Sequence, residues 1–135
     1  MCNSLHKDAV KIPAEGVGYK LVKIYKKEVG LKGKMCSIRR DIFEAKKWYK
    51  WKEALYSESW CDKNELRKRA KTHGFCFFLT KKEALKLKKA WTCLPEYKTK
   101  VVKIQYRKGL GSHYEDNIVS DVLFKIALAK EFRIL

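Results

Sequence analysis

Apolar and basic residues alternate along Thr99 to Arg107. Val102, Ile104 and Tyr106 point one way, and Lys103, Gln105 and Arg107 the other. A period of two predicts an amphipathic strand. Residues 121–135 alternate again, with Val122, Phe124, Ile126 and Leu128 on one face. Val119, Val122, Leu123 and Ile126 also match a helical stripe. The β-branched and aromatic content and the apolar end Phe132-Arg133-Ile134-Leu135 favour a strand. From Val17 to Lys26, Tyr19, Leu21 and Tyr25 share one face and Val22 and Ile24 the other, which predicts a strand covered on both sides. Met35 to Ile38 reads as a short strand after a turn over Glu28–Lys34, and Phe75 to Leu79 as a buried strand behind Gly74.

Helical spacing predicts two or three further elements. Thr80-Lys81-Lys82-Glu83 fits a capping box opening a helix with Ala84, Leu87 and Trp91 on its buried stripe, stopped by Pro95. Residues 41–56 carry a stripe of Ala45, Trp48, Lys52 and Leu55, and their Ala, Lys and Glu content favours a helix. The alternative is a strand in which Tyr49 and Trp51 alternate with Trp48 and Lys50. Asp62 to Lys71 fits a second short helix, and Gly109 to Asn117 reads as a polar loop. The expected fold is α+β: a mostly antiparallel sheet with one or two packed helices. It forms a single compact domain over 1–135, with residues 1–16 as an entry segment.

Charge adds a functional direction. The 135 residues hold 32 Lys and Arg against 15 Asp and Glu, a net charge of +17. Such an excess attracts polyanions and makes nucleic acid, a nucleoprotein complex or an acidic protein surface the expected partner. Aromatic residues at 13% argue against disorder. The run Lys98, Lys100, Lys103, Arg107, Lys108 contains no acid. With Lys81, Lys82, Lys86 and Lys89 on the preceding helix and Arg67 and Arg69, it makes the candidate anion-binding set. Trp48 and Trp51 are interleaved with lysines and are candidates for stacking on unpaired bases, although tryptophan is more often core.

Candidate chemistry is sparse. Cys36, Cys61, Cys76 and Cys93 lack the close pairing of structural zinc sites, so buried thiols are expected and no metal or cofactor is assigned. His113 and Glu115 read as part of a hydrophilic turn, with no nucleophile or oxyanion motif beside them. The expectation is a non-enzymatic binding protein. No apolar run reaches the ~20 residues of a membrane span, and the start has no signal-peptide core, so a cytoplasmic protein without membrane contact is expected.

Met1-Cys2-Asn3-Ser4, Gly18-Tyr19-Lys20-Leu21-Val22 and Gly74-Phe75-Cys76-Phe77 followed by Lys82-Glu83-Ala84 resemble a loose group of small bacteriophage and gut-bacterial proteins. Cys76 stands where that group tends to have His. The resemblance implies a phage origin and a role against host machinery; joined to the basic face, it gives the expectation of a phage-encoded inhibitor that engages host nucleic acid or a nucleoprotein defence complex, such as a guide-loaded one. The order of a strand, a Gly-aromatic strand and a Glu-Ala helix also resembles ADP-ribosyltransferases, which implies an enzyme as the alternative. That family holds NAD with a basic or His residue on the first strand, a Ser/Thr-rich second strand and a late glutamate. Here the first strand offers Lys20 and Lys23, no Ser-Thr-Ser run follows Gly74, and the late glutamates Glu115 and Glu131 are not in a Glu-x-Glu pair. An adaptor or virion protein is a third alternative.

Overall fold

A computed structural model describes residues 5–26, 35–36, 42–51, 73–90, 97–117 and 120–135. In chain order they form β1 (Glu15–Tyr25), β2 (Met35–Cys36), β3 (Ile42–Phe43), β4 (Tyr49–Lys50), β5 (Phe75–Phe77), α1 (Lys81–Ala90), β6 (Tyr97–Asn117) and β7 (Ser120–Ile134). These strands pair antiparallel in the order β3-β2-β1-β6-β7-β4, with β5 also on β7. A mostly antiparallel sheet with one short helix agrees with the α+β expectation.

The sheet curls until it meets itself. β1 pairs with β6 from Glu15 opposite Arg107 to Tyr25 opposite Tyr97. β6 pairs with β7, and β7 with β5. Phe78, just beyond β5, then returns to β1. Its N–H donates to the Tyr19 carbonyl, and the Tyr19 N–H donates to the Phe78 carbonyl, both at 2.7 Å. The ring β1–β6–β7–β5 is thereby closed, which pairs backbone edges that an open sheet would leave exposed.

Each face of the ring has its own core. Val22, Phe77, Val102, Ile104, Tyr106, Ala127 and Ala129 fill the inner one, with Phe43, Phe132 and Ile134. On the outer face, Ala84 and Leu87 of α1 cover Cys76, Phe124, Ile126 and Leu128, with Tyr19, Leu21 and Val101 at the margin. This explains why β1 is apolar on both sides. Burial also raises the pKa of the Tyr106 phenol above its usual value.

Phe132 joins the short strands to the ring. Its ring meets Phe43 edge-on at 5.1 Å, Phe75 edge-on at 4.7 Å and Tyr49 in a stack at 5.5 Å. Lys20 reaches in beside them, its Nζ 5.4 Å from the Phe132 ring and donating to the Cys76 carbonyl at 2.7 Å.

The helix start is half as expected. The Glu83 N–H donates to Thr80 Oγ1 at 3.4 Å, the first bond of a capping box. The Glu83 carboxylate instead accepts from the Lys125 N–H at 3.3 Å, tying α1 to β7.

Two expectations are overturned. Residues 42–51 are not helical: β3 pairs with β2, and β4 with β7. The local helix preference of Ala45, Lys46 and Lys47 yields to burial of Phe43 and Tyr49 against Phe132. Gly109 to Asn117 is not a loop but the second half of β6, paired with β7 as far as Asn117 opposite Ser120. Its polar content hid a strand whose partner supplies the apolar groups. The turn over 28–34, the second helix over 62–71 and the Trp91 and Pro95 end of the third lie outside the described residues, as do positions 52–56. Among the described residues, no helix is long and apolar enough to cross a membrane.

The register of β6 shifts between Gly109 and Gly111, and Lys108 takes a left-handed φ of 54° beside the shift. That conformation costs a side chain with a Cβ roughly 1–2 kcal/mol. Glycine there would relieve it but forfeit the ion pair from the exposed Lys108 ammonium to the buried Glu131, which keeps Arg107 as its partner. The Lys108→Gly variant is expected to match the wild type or exceed it by up to about 1 kcal/mol in urea unfolding. Lys108→Val should lose about as much.

Candidate functional site

The pleat divides the acid-free basic run. Lys98 and Lys100 share a face with Val102, whereas Lys103 and Arg107 project from the opposite, outer face. Lys98, Lys100, Lys103 and Lys108 are exposed and Arg107 is half-buried. On α1, Lys81, Lys82, Lys86 and Lys89 are exposed, and Lys86 Nζ donates to the Leu123 carbonyl at 2.8 Å. Arg67 and Arg69 lie outside the described residues.

Arg107 is the centre of a compact cluster. Its guanidinium lies 3.5 Å from the Trp48 ring centroid, and that of Arg133 lies 5.1 Å from it. The register places Arg107 opposite Glu131 and Gln105 opposite Arg133. Arg107 donates to Glu131 at 3.2 Å, and Arg133 Nε donates to Gln105 Oε1 at 2.8 Å. Lys108 Nζ is 3.4 Å from the other Glu131 oxygen. Glu131 is only 5% exposed. Arg107 and Lys108 flank the buried Glu131 carboxylate, and Arg133 adds a third cation beside Trp48, so three positive charges stand against one negative. Arg107 is held by the Trp48 face and by Glu131, and Arg133 by Gln105, which restrains their donors before any ligand arrives.

The two tryptophans part company. Trp48 serves the arginine cluster, while Trp51 packs edge-on against Phe75 at 5.3 Å at the border of the core. Alternation explains this: Tyr49, between β3 and the end of β4, turns inward to Phe132, so Trp48 turns the other way. Alternation already set Gln105 on the face of Arg107, but Arg133 joins the cluster only through the β6–β7 register, which the sequence pattern does not reveal.

No family model matches the chain, and no curated protein or solved structure matches it.

A second polar group lies further along β6. Val10 and Ser112 exchange backbone hydrogen bonds at 2.8 Å, so the entry segment prolongs the β1 side of the sheet. This brings His6 onto His113, their rings stacked 3.8 Å apart and 16° from parallel. The His6 N–H donates to His113 Nδ1 at 3.4 Å. Glu115 Oε1 lies 3.4 Å from His113 Nε2 and 3.6 Å from His6 Nε2. His113 is 4% exposed and Glu115 8%. They therefore form a buried pair on a strand, contrary to the hydrophilic turn expected there. Nothing in the sequence pattern marks His6 as their neighbour.

The residues compared with an NAD site are not gathered. Lys20 engages Phe132 and the Cys76 carbonyl, Glu131 engages Arg107 and Lys108, and Glu115 engages the histidines.

Proposed function

We propose that the protein binds nucleic acid, free or within a nucleoprotein complex, through phosphate contacts on the outer face of its ring, without catalysing a reaction. The observation that carries this reading is the Trp48–Arg107–Arg133 cluster, with two guanidinium groups gathered at one indole ring and a surplus of positive charge. Arginine forks match phosphate oxygens bidentately. Lys103 and Lys108 extend the cationic surface on the same strand, and the lysines of α1 lie on the ring's outer side. Contacts of this kind confer affinity rather than sequence preference. The resemblance to small phage proteins supports a setting in which the target is a host nucleoprotein defence complex.

Binding to short DNA and RNA is expected to weaken steeply with salt, with a log–log slope of about −0.9 per phosphate neutralised on duplex DNA. Lys103→Ala and Arg133→Ala should each reduce that slope by about one and weaken binding evenly across sequences. Fluorescence anisotropy over a salt series reads both. Failure to bind duplex, single strand or a guide-loaded complex at low salt would reject the reading. Capture of an acidic protein alone would move it to the adaptor alternative.

A further inference from the structure

From the convergence of His6, His113 and Glu115 we infer a binding site for one divalent transition-metal ion, zinc by preference. The three offer one ligand atom each, all within 4.8 Å of one another. Zinc bonds of about 2.0–2.1 Å at tetrahedral angles put ligand atoms about 3.3–3.4 Å apart. Glu115 Oε1 stands 3.4 Å and 3.6 Å from the two Nε2 atoms. Two imidazoles and a carboxylate are a borderline donor set suited to zinc rather than to calcium or magnesium.

A second observation points to a ligand. Glu115 is more than nine-tenths buried, and its Oε2 has no hydrogen-bond partner among the described residues. A buried carboxylate oxygen left so is costly. A cation beside it would remove the cost. The site also has one adjustable member. The His6 side chain is 42% exposed and His113 only 1%. The nearly parallel rings must splay for both lone pairs to reach one ion, and His6 is free to turn while His113 and Glu115 stay. Coordination through His113 Nε2 places that ring's proton on Nδ1. The bond given up is the long His6 N–H contact at 3.4 Å.

Three protein ligands leave one tetrahedral position for water, on the side where His6 meets solvent. The ion would clip the entry segment to the β6–β7 hairpin. The arginine cluster shares no residue with this site, so either reading can fail without the other.

Isothermal titration with zinc chloride should show one site whose affinity falls at least tenfold in His6→Ala and in Glu115→Gln. His6→Ala removes a partly exposed side chain, so folding is kept while a ligand is lost. At one equivalent of zinc, the ring-nitrogen resonances of His6 and His113 should shift together. Cobalt(II) should give a spectrum without the charge-transfer band of a thiolate ligand, which separates this site from the five cysteines. Equal affinity in wild type and His6→Ala, a thiolate band with unmoved histidine resonances, or no zinc uptake would each overturn the inference.

Discussion

Gly18→Ala is expected to lose about 3 kcal/mol of stability and to open the ring between β1 and β5. A Cβ at position 18 would lie 2.5 Å from Cδ2 of Phe77 and 2.9 Å from the Phe78 carbonyl oxygen. One of these is a core ring and the other is backbone, so neither moves cheaply. Overpacking of this kind typically costs about 1–3 kcal/mol. Here the displaced backbone also carries the two hydrogen bonds that close the ring, adding about 1 kcal/mol each. The effect reads as a lower urea midpoint and as faster hydrogen exchange at the Tyr19 and Phe78 amides. Val17→Ala is the control, since Val17 is exposed and should change little. A Gly18→Ala protein as stable as wild type would show that β5 does not approach β1 this closely.

Phe132→Ala should be comparably damaging, by about 3–5 kcal/mol. The residue is fully buried, and its ring is the common neighbour of Phe43, Tyr49 and Phe75. Removing it leaves a cavity and frees two short strands with few other anchors. Trp48 lies between those strands, so its contact with Arg107 should loosen too. Phe132→Leu keeps most of the volume and should cost less than about 1.5 kcal/mol. If the arginine cluster depends on this anchor, Phe132→Leu weakens nucleic-acid binding at a temperature where it remains folded. Unfolding curves and anisotropy on the same variant separate the two effects.

How far the sequence revealed this arrangement depended on whether a signal was local. Val102, Ile104 and Tyr106 announced their strand because the inner face is buried along that stretch. The Thr80 cap and the Ala84–Leu87 stripe announced α1 for the same reason. Residues 42–51 misled because Ala45, Lys46 and Lys47 favour a helix locally, while the structure is decided by Phe132 far along the chain. Residues 109–117 misled because glycine and polar groups mark both a loop and a bulged strand. The candidate site divides likewise. Trp48, Arg107 and Lys108 stood out by composition. Arg133 and His6 enter through strand register alone, which a one-residue slip would redirect to the other face.

The closed ring also bears on the timing of folding. β1 comes early in the chain, yet its partner along its full length, β6, begins at Tyr97. Of the ring's main seams, only the β6–β7 hairpin joins neighbours in sequence. During synthesis the edge of β1 that meets β6 therefore waits unpaired, while β2 is already at hand for Lys23 and Ile24 on the other edge. Long-range pairings of this kind form slowly, because the entropy of closing the intervening loop is lost before the contacts compensate. The ring is complete only once β7, which pairs with both β6 and β5, has been made. Until then the β6-facing edge of β1 is open to chaperones and to pairing with another chain.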